Sequence, residues 1–201
     1  SNLSFSQIFN NSNILNTDPI SNILQLGFDY KSDFFDIDVD YGNILEYKDR
    51  FLGGSAVGVF SNNNDSKTNF INIKNKRKII NNTYFISSYL EGITNLSGNQ
   101  RGIFRNYSNI KSRGYSLGIF NNNFFEGKLA INYYEPLRVY YGDVDINIPT
   151  GYDNKGNVER LSKNNISLEP SGKEKNLEIS YNLSKENYNI NLNLLAVEEP
   201  M

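Results

Sequence analysis

The sequence predicts an all-β fold: an antiparallel up-and-down β-barrel of about ten to twelve strands, with room for a short N-terminal helix. Three observations carry this. From Leu26 onward apolar and polar residues alternate with a period of two. Turn-forming clusters recur at a spacing of about 8–12 residues, the mark of an antiparallel sandwich or barrel. No segment beyond the neighbourhood of Pro19 carries a helical period, and hairpin-scale spacing leaves no room for parallel crossovers.

Residues 1–24 read as a linker or short helix, with Asp18 as N-cap and Pro19 in the first helical position. Residues 25–201 read as the barrel domain. "LGFDY" puts Leu26, Phe28 and Tyr30 on one strand face. "FFDIDVDYG", 34–42, sets Phe35, Ile37, Val39 and Tyr41 against Asp36, Asp38 and Asp40, because successive strand side chains point to opposite faces. "FLGGSAVGVF", 51–60, is glycine-rich, as at barrel bends. "SNNNDSKT" reads as a turn, "NFINI" as a short strand, "KNKRK" at 74–78 as a solvated loop and "TYFISSYL" as a strand. "EGITNLSGNQRG", 91–102, reads as a loop and "GYSLGIF", 114–120, as a strand. "GKLAINYYEPLRVYYG", 127–142, reads as two short strands bent at Pro136. "DVDINIP" alternates again, and a long loop is expected over 150–165. "NLEISYNL" and "NYNINLNL" close the series, the last setting Tyr188, Ile190, Leu192 and Leu194 against Asn187, Asn189, Asn191 and Asn193.

Composition bounds the function. The chain of 201 residues is long enough for one good-sized domain, and its net charge of −2 gives no sign of nucleic-acid binding. There is no cysteine, so no disulfide framework, thiolate nucleophile or Cys-based metal site. There is no histidine, which removes the usual general base and any complete Ser-His-Asp triad. No cofactor is expected. Asn is the outlier at 34 residues; it is poor in strand interiors and suited to turns and wet faces. The chain begins at Ser1 without a basic-then-apolar leader, which suggests a piece of a longer protein. No apolar run is long enough for a spanning helix, but a spanning strand needs only about 9–11 alternating residues.

One-sided apolar strands have two physical readings. In a soluble sandwich or filled barrel the apolar face points inward and the acids face water. In an outer-membrane barrel it points outward to lipid and the polar face lines a wet lumen. The period is the same in both. Asp36, Asp38 and Asp40 lie about 7 Å apart along one face, too far for one calcium ion to take all three at about 2.5 Å; a wet face is the expectation. "GGSAVG" around Ser55 has the wrong spacing for a nucleophile elbow.

One stretch is more specific than pattern: "EPLRVYYGDVDINIPTGYDNKGNVERLSKNNISLEPSGKEKNLEISYNL". It resembles the C-terminal region of a group of autotransporter-like, subtilisin-like serine peptidases secreted by Gram-negative bacteria. The resemblance rests on Pro136, Leu137, Arg138, Val139, Gly142 and Pro149, then on Leu168, Pro170, Ser171, Gly172, Glu174, Leu177, Glu178 and Tyr181. Lys173 stands where that group carries Arg, and Asp33 and Phe34 sit in a second, weaker match in which Ser32 replaces an arginine. The resemblance implies a non-catalytic β-barrel that anchors or helps export a peptidase domain lying upstream in the same polypeptide. It implies outer-membrane lipid or the barrel-assembly machinery as partner, and a place at the outer membrane or cell surface. No catalytic residue of the group maps onto this chain. "NLNLLAVEEPM" lacks an aromatic-terminated final strand, so the barrel is expected to be truncated or inserted by another route. "EPSGKE" reads as a bend, and Arg138 is expected to pair with Glu174 or Glu178. The alternative is a soluble β-barrel or sandwich module that binds glycan or an apolar ligand.

Overall fold

A computed structural model describes residues 2–10, 21–47, 50–51, 54–55, 64–98 and 103–198. These form strands and no helix: β1 (Asn2–Asn10), β2 (Ser21–Lys31), β3 (Phe35–Glu46), β4 (Arg50–Phe51), β5 (Gly54–Ser55), β6 (Asn64–Ile80), β7 (Thr83–Gly98), β8 (Phe104–Arg105), β9 (Ile110–Phe124), β10 (Gly127–Tyr141), β11 (Asp143–Tyr152), β12 (Val158–Ser167), β13 (Lys175–Lys185) and β14 (Tyr188–Glu198). The fold is all-β and antiparallel. One nine-stranded sheet runs in the order β1-β2-β3-β6-β7-β9-β10-β13-β14, beside a three-stranded sheet β12-β11-β8 and a small β4-β5 pair. Among the described residues the large sheet does not close on itself.

The strands are longer than their alternating cores suggest, and the differences have physical causes. The expected helix start at Asp18 lies outside the described residues; Asn2–Asn10 and Ser21–Leu24, inside the expected linker, are strand. Lys74–Lys78 lie within β6 rather than in a loop, and Glu91–Gly98 continue β7. Both stretches are rich in residues of low strand propensity, and the neighbouring ladder overrides that preference. Asp65, Ser66, Lys67 and Thr68 are likewise strand, not turn. The long loop expected over 150–165 is a tight turn followed by β12.

The "YEPLRV" segment is one strand with an irregularity, not two strands. The register between β9 and β10 shifts between Glu135 and Arg138. Pro136 has no N–H to give to the ladder, and a bulge accommodates it. Gly114 on β9 sits under that bulge: a Cβ there would meet the Leu137 backbone at 3.0 Å. Just beyond the bulge, where β10 ends, the chain turns a corner at Gly142, whose φ of +150° favours glycine. Beyond it β11 leaves the large sheet and pairs with β12.

The connections are unequal at the two rims. Residues 32–34, 81–82, 125–126 and 186–187 join neighbouring strands at one rim in two or three residues each. Positive φ at Asn81, Phe125 and Glu126 suits the turns that match strand twist. The connections at the opposite rim, 11–20, 47–63, 99–109 and 142–174, all run to ten residues or more. The last of them carries β11 and β12.

Replacing Gly114 with Val should force the bulge backbone away and lower stability by about 1–3 kcal/mol, the usual cost of overpacking. Urea unfolding would measure it; an unchanged midpoint would show that the bulge does not press on β9.

Candidate functional site

The registers decide which side chains share a face. Asp36, Asp38 and Asp40 on β3 lie opposite Lys76, Lys74 and Asn72 on β6, and opposite Lys31, Asp29 and Gly27 on β2. The acidic row noted in the sequence is therefore flanked by the lysines of "KNKRK". Directly opposed positions sit about 5 Å apart at Cβ, where opposite charges attract; Asn72 also donates to Asp40 at 3.2 Å. Farther along the same face, Ser66 donates to Glu46 at 3.0 Å and Thr68 bonds Thr94 at 2.8 Å. Ser88 bonds Ser116 at 2.8 Å.

This polar face is the concave, buried one. Glu46, Ser66, Thr68, Thr94 and Ser112 are buried on it. It lines an open pocket of about 360 Å³ whose lining includes Ile44 and Glu46 of β3 and Leu137, Arg138 and Val139 of β10, four strands away in the sheet. The sheet therefore curls around its polar side. Gly42, Gly92, Gly114 and Gly118 are buried on the same face.

The opposite face is apolar and exposed. It carries Leu24, Leu26, Phe28 and Tyr30 of β2, Leu117 and Ile119 of β9, and Ile190, Leu192 and Leu194 of β14, the last 69% exposed. Among the described residues only Ile110 and Val144 are fully buried apolar side chains. Burial is thus inverted relative to a water-soluble domain, where large apolar residues fill the interior.

The apolar band also drifts across the sheet. The hydrogen-bonded row through Phe35 runs on through Ile119, Ile131, Ile179 and Leu194. On β2 the band is centred at Gly27, opposite Asp40, five residues to one side of that row. On β14 it is centred at Leu192, two residues to the other side. Seven residues over seven strand-to-strand steps is one residue per strand. A rise of about 3.3 Å against a strand spacing of about 4.8 Å corresponds to a tilt of about 35°, inside the range of tilted barrels. Tyr188 to Ala196 then covers about 22 Å along the axis, close to the roughly 25 Å apolar band of spanning barrels.

Aromatic and polar side chains cluster where the band ends. Toward the long-connection rim Glu91 accepts from Tyr140 at 2.5 Å and Tyr89 at 2.8 Å, while Arg113 stacks on Tyr140 at 4.7 Å and Lys111 on Tyr141 at 5.4 Å. At the short-turn rim the Phe124 and Phe125 rings meet edge-on at 4.7 Å, Tyr181 donates to the Phe125 carbonyl at 3.0 Å, and Lys185 pairs with Glu126.

The residues of the resemblance are partly brought together. The Arg138 side chain, 12% exposed, donates to the Gly172 carbonyl at 2.7 Å and pairs with Glu169 at 3.4 Å. Leu137 lines the pocket, and Leu168 donates its N–H to Gly142 at 2.8 Å. The "PLRV" and "PSG" segments are thus clasped across the base of the β11–β12 hairpin. Pro136 forms the bulge, Pro149 pairs with Leu161 in the hairpin, and Pro170 and Ser171 are exposed on the loop. The expected Arg138 partners are not the ones found: Glu174 accepts from Asn176 at 2.7 Å, and Glu178 lies on β13 opposite Asn132. Glu169 and the Gly172 carbonyl were not legible as partners because the loop's path, not its charge, brings them to Arg138. Among the described residues no cluster of three or more His, Cys, Asp or Glu side chains is placed to hold a metal ion.

The hairpin has its own polar anchors. Asp145 accepts from Asn106 and Asn165, both at 2.9 Å. The Asp153 carboxylate accepts from the backbone N–H groups of Lys155 and Asn157 and from the Asn157 amide, at 2.7–2.8 Å. Those bonds, the Asn157 amide first, hold its carboxyl below the usual aspartate range.

No protein-family model, curated protein or solved structure matches the chain.

Two outcomes follow. Arg138→Ala should cost about 1.5–3 kcal/mol, the range for hydrogen bonds to a charged group. Its effect should be non-additive with Glu169→Ala and additive with Glu174→Ala; coupling to Glu174 instead would contradict the clasp. Because the Asp153 carboxyl is held down in the fold, its contribution is complete above the ordinary aspartate value and is lost as pH falls through the lower folded value. The amide shifts of Lys155 and Asn157 should therefore titrate together, with a midpoint below about 3.9; a midpoint at or above it would refute the turn.

Proposed function

We propose that this chain is the wall of an outer-membrane β-barrel, a non-catalytic translocator- or anchor-like unit of a secreted subtilisin-like serine peptidase. The observation that carries the membrane part is the exposed apolar band, staggered by one residue per strand around a polar concave face. A strand wall in hydrocarbon needs its backbone paired internally and its apolar side chains outward. Aromatic residues at both ends of the band suit the two membrane interfaces. Short turns at one rim and long connections at the other suit a barrel with brief periplasmic turns and larger external loops. On this reading the β11–β12 hairpin projects on the outer side. The peptidase part is supported by the resemblance alone.

The test is a paired substitution with a detergent gel. The unaltered chain should refold only with detergent and migrate differently before and after boiling. Leu192→Arg, at the middle of the outward band, should lower stability in lipid by about 2–4 kcal/mol, while Asn193→Arg on the concave face should cost far less. A folded monomer in plain buffer, with Leu192→Arg tolerated, would reject the membrane wall and favour the soluble ligand-binding module.

A further inference from the structure

Two cations stand on the outward face near the long-connection rim. Lys111 and Arg113 of β9 share that face with Leu117 and Ile119, even steps away along one strand. Arg113 is exposed and Lys111 half-buried. Arg113 lies opposite Glu91 in the β7–β9 register, but both Glu91 oxygens are already taken, one accepting from Tyr140 and the other from Tyr89. Among the described residues neither Lys111 nor Arg113 donates a hydrogen bond to a carboxylate. Each rests on a tyrosine ring instead, Lys111 on Tyr141 and Arg113 on Tyr140. Two cations beside one carboxylate leave positive charge over. The backbone builds this arrangement: the β9–β10 register shifts between Val139 and Tyr141. In a regular strand consecutive tyrosines point to opposite faces; here both meet cations of one face, as an irregularity that re-aims side chains allows.

The height of the pair follows from the stagger. On β9 one residue per strand puts the middle of the apolar band at Gly118, one residue from Ile119. Arg113 and Lys111 are five and seven residues from it. At about 3.3 Å per residue and a tilt of about 35° they stand about 14 and about 19 Å from the middle. That lies beyond the edge of an apolar band about 25 Å tall and within the headgroup layer of a bilayer about 40–45 Å thick overall.

We infer that Lys111 and Arg113, backed by Tyr140 and Tyr141, bind the phosphate monoester of a membrane-lipid headgroup; this rests on the membrane reading above. A phosphate monoester carries a charge of about −1.5 to −2 near neutral pH and accepts charge-assisted bonds of about 2.8 Å. The Cα atoms of Lys111 and Arg113 are about 7 Å apart along the strand, a spacing that lets one phosphate take a bond from each. The tyrosine rings hold the cations from behind, so that their N–H groups stay available. Glu91 sets the strength of the site: while Tyr89 and Tyr140 occupy its oxygens, it does not compete with the phosphate for Arg113.

The full chain is refolded in dodecyl maltoside micelles that carry either a phosphatidic acid or the diacylglycerol with the same tails. Native mass spectrometry then counts the lipid that stays on the folded protein. The unaltered chain should keep the phosphatidic acid several-fold better than the diacylglycerol, and Lys111→Gln with Arg113→Gln should abolish the preference. Tyr140→Phe removes no charge but frees a Glu91 oxygen for Arg113, so retention should fall; Glu91→Gln should raise it. Equal retention of the two lipids by the unaltered chain, an unchanged preference in the double variant, or a loss of phosphatidic acid on Glu91→Gln overturns the inference. So does an equally stable adduct with inorganic phosphate alone, which would make a free anion the ligand. Heat-modifiability of every sample is read separately and reports that each variant is folded. A detergent-dependent chain that shifts on the gel without preferring the phosphatidic acid fails only this inference. A chain folded as a monomer in plain buffer fails the membrane reading, and this inference with it.

Discussion

Everything in this molecule depends on backbone pairing in an unbroken antiparallel ladder. Strand pairing forces side chains to alternate faces; one face is mainly apolar, and the other carries Asp, Asn, Ser, Thr and Gly together with Ile44, Phe70 and Leu90. Once the ladder forms, one face must turn inward, and the small residues decide which. Gly42, Gly92, Gly114 and Gly118 let neighbouring side chains and backbone approach on the concave face, the Phe70 ring against Gly42 among them, so the sheet curls toward that face and leaves most of its Leu, Ile and Tyr side chains outside.

In "FFDIDVDYG" Asp36 and Asp38 lie in register opposite Lys76 and Lys74, and the apolar positions join the outward band. In water such opposed charges contribute little. Their larger effect is on register: a one-residue slip would turn charges to the apolar face and hydrocarbon to the polar one. On the proposed reading, the environment that accepts both faces is lipid on one side and a wet lumen on the other.

The antiparallel all-β class was legible because the period of two persists for most of the chain. The two rims were legible only in part. Asn121–Asn123 look like a turn and Lys74–Lys78 and Glu91–Gly98 look like loops, yet all are strand, because long ladders extend through polar sequence when both neighbours continue; the turn after β9 falls at Phe125 and Glu126. Which face lies inside was not legible, since inversion leaves the period unchanged. The Arg138 clasp was half legible: the arginine stands out in its motif, but its partners are a backbone carbonyl and Glu169 on a loop whose course no spacing encodes. The stagger of one residue per strand emerges only when registers are followed from β2 to β14.

On the proposed reading the apolar face meets lipid. Single cysteines placed in turn at 189–195 of the chain, spin-labelled after reconstitution into lipid bilayers, would test it most directly. The account predicts a period-two alternation, with labels at Ile190, Leu192 and Leu194 accessible to oxygen dissolved in the membrane and shielded from a water-soluble relaxation agent, and labels at Asn189, Asn191 and Asn193 giving the reverse. Labels at Ile190, Leu192 and Leu194 shielded from both agents would place the apolar face inside a protein core and contradict it.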